Sequence, residues 1–83
     1  MDEALAVPAS ETLAVIRRLC RDGSGRRIRL AANVSAAELA AELGVSEATV
    51  LRWETGRNLP RRRVALRYAI LLRGLAQVVG EPL

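Results

Sequence analysis

The 83-residue sequence has no histidine, no lysine and no phenylalanine, a single cysteine, and only Trp53 and Tyr68 as aromatics. Each scarcity removes a class of chemistry. Without histidine, zinc or haem sites of the usual ligand spacing cannot be assembled, and a lone Cys20 forms no internal disulfide. No metal or other cofactor is expected, and Cys20 reads as a small buried hydrophobe in a reducing cytoplasm. No apolar run approaches the roughly 18 residues of a membrane span, and Asp2 and Glu3 stand where a signal peptide carries positive charge. The expectation is a soluble cytoplasmic protein that makes no membrane contact. An enzyme is not expected either: Cys20 has no base beside it in sequence, and the acids are scattered along helical segments.

What is abundant is arginine and alanine. The chain is 51% apolar with few aromatics, so its core must come from Leu, Val, Ile and fourteen alanines, a composition that favours closely packed helices over strands. An all-α compact bundle in one structural domain follows, and the helix signals along the chain give it five helices. Thirteen arginines against nine acids leave a net charge of +4. The charge is segregated: −3 over residues 1–16, +5 over 17–29, −3 over 30–51, +6 over 52–73 and −1 over 74–83. Clustered guanidinium groups bind phosphate bidentately and stay charged at every working pH, which points to a polyanion. A solvated surface in a chain whose genome favours arginine and alanine codons is the other reading, because net charge speaks to association and not to fold.

Helix signals divide the chain. The stretch VPAS at residues 7–10 predicts a helix capped by Ser10, with Glu11 in its first turn and Gly23 as its stop. Leu13, Ile16, Leu19 and Cys20 share one face of it, and Arg17, Arg18 and Arg21 lie on the other. Gly23, Ser24 and Gly25 interrupt the pattern before a short basic helix over residues 26–32, closed by Asn33, which tolerates the left-handed conformation. Ser35 and Glu38 form a capping box that opens a helix to Leu43. After a tight turn at Gly44 and Val45, Ser46 caps the next helix, with Val50, Trp53 and Glu54 on one side and Gly56 as its stop. Leu59 and Pro60 introduce a last helix over residues 61–79. These elements predict a tail and extra amphipathic helix over residues 1–23 and a main unit over residues 24–83.

Residues 38–56, ELAAELGVSEATVLRWETG, have the spacing of a helix-turn-helix. Ala40 is small where the second helix crosses, Gly44 allows the sharp turn, and Leu39, Leu43, Val45, Val50 and Trp53 fill the shared core. Over residues 24–73, through GRRIRLAANVSAAELAAELGVSEATVLRWETGRNLP, the sequence resembles the Cro and lambda-repressor-like helix-turn-helix family, also called the XRE family. The caps, the small residue, the turn glycine and the closing WETG-R-x-x-P fall in the family's order.

The resemblance implies double-stranded DNA as the partner, with the helix over residues 46–55 in the major groove. Opposite Val50 on the helical wheel lie Ala48, Leu51, Arg52 and Thr55, with Glu47 at the margin, and these are the candidate base-reading residues. Arg52 leads them because bidentate arginine–guanine pairing is the commonest specific contact, and Leu51 suits a thymine methyl. Glu47 has two readings, an acceptor for cytosine or an acid favoured by the helix dipole. Ser35 and Ser46 can each donate to phosphate while capping, and Arg57, Arg61, Arg62 and Arg63 are assigned to phosphate. The resemblance also pairs Arg29 with Glu54 as a structural contact. In many members the position of Ala36 is a glutamine that touches DNA, so one contact is expected to be missing, and Ala48 further thins the hydrogen-bonding surface. Moderate sequence preference follows.

In the last helix Val64, Tyr68, Leu71, Leu72, Leu75, Val78 and Val79 form the stripe expected to close the core. Leu66 and Ile70 point away from it, as a candidate homodimer contact or a patch covered by the helix over residues 10–22. The function expected is a sequence-preferring transcriptional regulator, a repressor or Cro-like switch protein of a bacterium or phage. The alternative is a protein-interaction module of the same fold, such as an antitoxin or adaptor with a protein partner.

Overall fold

The computed structural model describes residues 9–83. The opening stretch with Asp2 and Glu3, and the Val7 and Pro8 lead-in, lie outside the described residues. Five helices follow one another: α1 (Ala9–Arg21), α2 (Ser24–Ala31), α3 (Ala36–Leu43), α4 (Glu47–Glu54) and α5 (Arg62–Val79).

Leu13, Ile16, Leu19 and Cys20 of α1 are buried as their helical spacing predicts. Ser10 is an exposed residue within the helix, which already includes Ala9, so it does not serve as the cap. At the next junction Asp22 Oδ1 accepts from the Ser24 backbone N–H at 2.8 Å, and this contact lets α2 begin two residues before the expected start. Gly25 is therefore not a loop residue. It sits buried in the first turn of α2, where a Cβ would lie 3.3 Å from Tyr68 Oη, and the absence of a side chain allows α2 to approach α5. Asn33 closes the segment with φ 59°, the left-handed conformation its short amide side chain tolerates.

The core runs through the middle of the bundle, with Ile16, Ile28, Val50, Tyr68 and Leu72 fully shielded. The Trp53 and Tyr68 rings, the only two aromatics, pack against each other at 5.3 Å between centroids with 34° between planes. The core face of α5 is Ala65, Tyr68, Ala69, Leu72 and Ala76, while Val64, Leu71 and Leu75 pack at its margin. This corrects the expected stripe: Val78 is 80% exposed and Val79 only half-buried. The reason is α1, which packs extensively along α5. Alanines let two helix axes come close, so the small-residue line rather than the line of large aliphatics turns inward. Leu66 is half-buried and packs against the core instead of pointing away, whereas Ile70 is 66% exposed.

Candidate nucleic-acid interface

The site is built on two helices and a turn. Ser35 Oγ accepts from the Glu38 backbone N–H at 3.0 Å and the Glu38 carboxylate accepts from the Ser35 N–H at 2.9 Å, so both orphan donors at the start of α3 are satisfied. The same backbone N–H holds the Glu38 carboxyl below its ordinary range. At the far end Gly44 adopts φ 71°, a left-handed turn that only glycine takes without strain. Ser46 then caps α4 by accepting from the Thr49 N–H at 3.1 Å, and its hydroxyl also shares a 2.8 Å hydrogen bond with Thr49 Oγ1.

Helix α4 is divided lengthwise. Val50, Trp53 and Glu54 are buried, and Glu47, Ala48, Leu51, Arg52 and Thr55 are all exposed. Its last turn is anchored from inside by Arg29 of α2: Nε donates to Glu54 Oε2 at 2.5 Å, Nη2 to Oε1 at 2.9 Å and Nη1 to the Val34 carbonyl at 3.0 Å. The hydrogen bonds to Glu54 raise the pKa of the Arg29 guanidinium further. Side-chain exposure is only 7% for Arg29 and 1% for Glu54, so this fork links α2, the α2–α3 connection and the end of α4 through one desolvated pair. Rigid seating of α4 is the result, with its polar and apolar outward residues left unoccupied by the fold. Thr55 is the exception, since its hydroxyl donates back to the Arg52 carbonyl at 3.0 Å.

Two grooves flank α4. One of about 510 Å³ brings Ser35, Ala36 and Glu38 at the start of α3 beside Glu47 at the start of α4, with Arg29, Leu30, Asn33 and Val34. The other, about 720 Å³, is lined by Thr49, Trp53, Arg57, Asn58, Leu59, Arg61 and Val64. Ser35 and Ser46 are exposed, as are Arg57, Arg61, Arg62 and Arg63. Of the arginine run only Arg61 lines this groove, in keeping with three adjacent positions that cannot share one direction. Ala36, where the family resemblance implies a missing DNA contact, is 6% exposed and belongs to the core, so the small residue there serves packing.

Sequence reasoning passed over Thr49 and Asn58, which line the second groove. The signal for Thr49 was its place three residues after Ser46, where a cap's backbone partner sits. Two further arginines have internal tasks that no local pattern announces. Arg67 Nη2 donates to the Glu42 carbonyl at the end of α3 at 2.8 Å, and Arg27 pairs with Glu81 at 3.4 Å.

The sequence profile of the helix-turn-helix family matches residues 26–76, more than half of the chain. This chain is a member of the XRE-type helix-turn-helix family. Neither a curated protein nor a solved structure matched it. The XRE-type span takes in the whole of α3, Gly44 and α4, together with every candidate base and phosphate residue, and it leaves α1 outside. Membership makes a DNA-binding regulator of XRE type the natural functional class, on a lambda-repressor-like all-α fold. Among the described residues, no helix is long and apolar enough to cross a membrane.

Proposed function

We propose that this XRE-type protein is a sequence-preferring regulator of transcription that lays α4 in the major groove of double-stranded DNA. The observation that carries the reading is Arg52: exposed, making no ion pair among the described residues, and on the face of α4 opposite the buried Val50. Arg52 pairs with guanine, Leu51 meets a thymine methyl, and Ala48, Thr55 and Glu47 complete the surface over the bases. Ser35, Ser46, Arg57, Arg61, Arg62 and Arg63 hold phosphate on either side. Sequence preference is moderate, because Ala48 offers no hydrogen bond and the Thr55 hydroxyl is engaged with its own helix.

The protein acts in the cytoplasm of a bacterium or phage host as a repressor or Cro-like switch. It works as a homodimer with Ile70 in the contact, which sets two copies of α4 about 34 Å apart on a pseudo-palindrome. Exposed Leu30 and Leu51, at 52% and 43%, favour a second reading in which the same face docks on a protein, as in an antitoxin or adaptor. Selection from a pool of random duplex DNA separates the two. Enrichment of a palindromic motif is the expected outcome, and a pool that stays random after repeated rounds contradicts the DNA-reading function.

A further inference from the structure

We infer that Arg17 and Arg21 of α1, which lies outside the family match, join Arg57 in a second phosphate-binding edge that extends the DNA footprint beyond α4. The inference rests on the DNA-binding reading above and deepens it. Its starting point is a close backbone approach. A Cβ built on Gly56 would stand 3.5 Å from Arg21 Cα, 3.7 Å from Arg21 Cγ and 3.9 Å from the Cys20 carbonyl oxygen. The last turn of α1 is therefore wedged against the turn that ends α4, and Arg21 is the immediate neighbour of the Gly56–Arg57 corner.

Charge gives that corner its direction. Arg17 and Arg21 lie one helical turn apart on the same edge of α1, a like-charge spacing that weakens a helix unless an anion lies across it. The nearby acids are committed elsewhere. Asp22 accepts from the Ser24 N–H at 2.8 Å, and hydrogen bonding with Ser24, then the charges of Arg18 and Arg27, hold its carboxyl below the ordinary range. Glu54 is closed inside the fork of Arg29. Among the described residues neither Arg17 nor Arg21 makes an ion pair, whereas Arg27, Arg29 and Arg67 each have a protein partner. Arg17, Arg21 and Arg57, all without an ion pair among the described residues, thus sit on the two elements that meet at the end of α4, and the ligand suited to several such groups is a phosphate backbone. Such contacts add affinity without adding sequence information.

The test is the salt dependence of binding to a mixed-sequence duplex, comparing the full chain with the double variant Arg17→Gln and Arg21→Gln. Each lost phosphate contact lowers the slope of log Kobs against log salt by about 0.9, so the double variant should lose about 1.8. Arg17→Lys with Arg21→Lys keeps the charge and should restore the parent slope, and Arg73→Gln, remote along α5, should leave it unchanged. If the double variant melts early by circular dichroism, Arg17→Gln alone leaves the Arg21–Gly56 packing intact and should lose about 0.9. An unchanged slope in a variant that still binds duplex overturns the inference and leaves the function of α4 standing. So does an equal loss in Arg73→Gln, which would make the effect one of net charge. A parent chain that binds no duplex at all overturns both.

Discussion

Replacing Arg29 with Ala removes one half of the pair that holds α4 in place, and the structure sets the size of the effect. Glu54 keeps its position with a side chain 1% exposed, and it loses donors at 2.5 and 2.9 Å while the Val34 carbonyl loses one at 3.0 Å. A carboxylate stranded in this way costs about 3–5 kcal/mol. An 83-residue domain has in all about 4–12 kcal/mol, at about 0.05–0.15 kcal/mol per residue, so the variant should lose at least about a quarter of its stability. Equilibrium unfolding in urea, followed by the fluorescence of Trp53, measures it, since this sole tryptophan is 5% exposed and lies beside Glu54 in α4. The companion double variant, Arg29→Met with Glu54→Leu, removes both charges and should recover most of the loss, because a well-packed apolar pair of similar volume is often neutral. A cost below about 1 kcal/mol for Arg29→Ala would be the size of a solvated surface pair and would refute the buried, α4-seating role.

The Tyr68 hydroxyl is buried without a hydrogen-bond partner among the described residues, so Tyr68→Phe should be neutral or stabilising, and a loss above about 1.5 kcal/mol would reveal a partner. Gly25→Ala should be no gain in the parent, where the new methyl meets that hydroxyl at 3.3 Å, but should stabilise by about 0.5–1 kcal/mol in the Tyr68→Phe background. Equal effects of Gly25→Ala in both backgrounds would rule out the close approach. Burial, reinforced by the negative charge of Glu54, pushes the Cys20 thiol from 9.0 up to about 11. Because the folded value is the higher one, its contribution to stability is complete below pH 9.0 and is lost as the pH climbs through about 11. Urea midpoints should fall over that window and fall less in Cys20→Ala; a thiol reagent that labels the folded chain rapidly at pH 8, about 1 unit below the ordinary thiol value, would contradict the burial.

Features written in local chemistry were legible from the sequence. The Ser35–Glu38 box, the Ser46 cap, the left-handed Gly44 and Asn33, and the division of α4 into buried Val50, Trp53 and Glu54 and exposed Ala48, Leu51 and Arg52 all depend on spacings within one turn or two. What was not legible depends on which helix lies against which. A wheel weighted by side-chain size turns Val78 inward, yet the alanine line of α5 faces the core because α1 packs along it. Gly25 looked like a break because nothing near it in sequence says that Tyr68 arrives overhead. Arg67 bonding the Glu42 carbonyl joins residues 25 apart, as does Arg29 with Glu54. The second of these was anticipated only through family resemblance.

The proposed division of labour has the outward face of α4 reading bases while the flanking arginines hold the backbone. Its most direct measurement is the binding of parent, Arg52→Ala and Arg62→Ala chains to a selected duplex and to a scrambled one at fixed salt. Arg52→Ala should lose about 1–3 kcal/mol on the selected duplex and little on the scrambled one, while Arg62→Ala should weaken both alike. An Arg52→Ala chain that keeps the parent's discrimination between the two duplexes would contradict the claim.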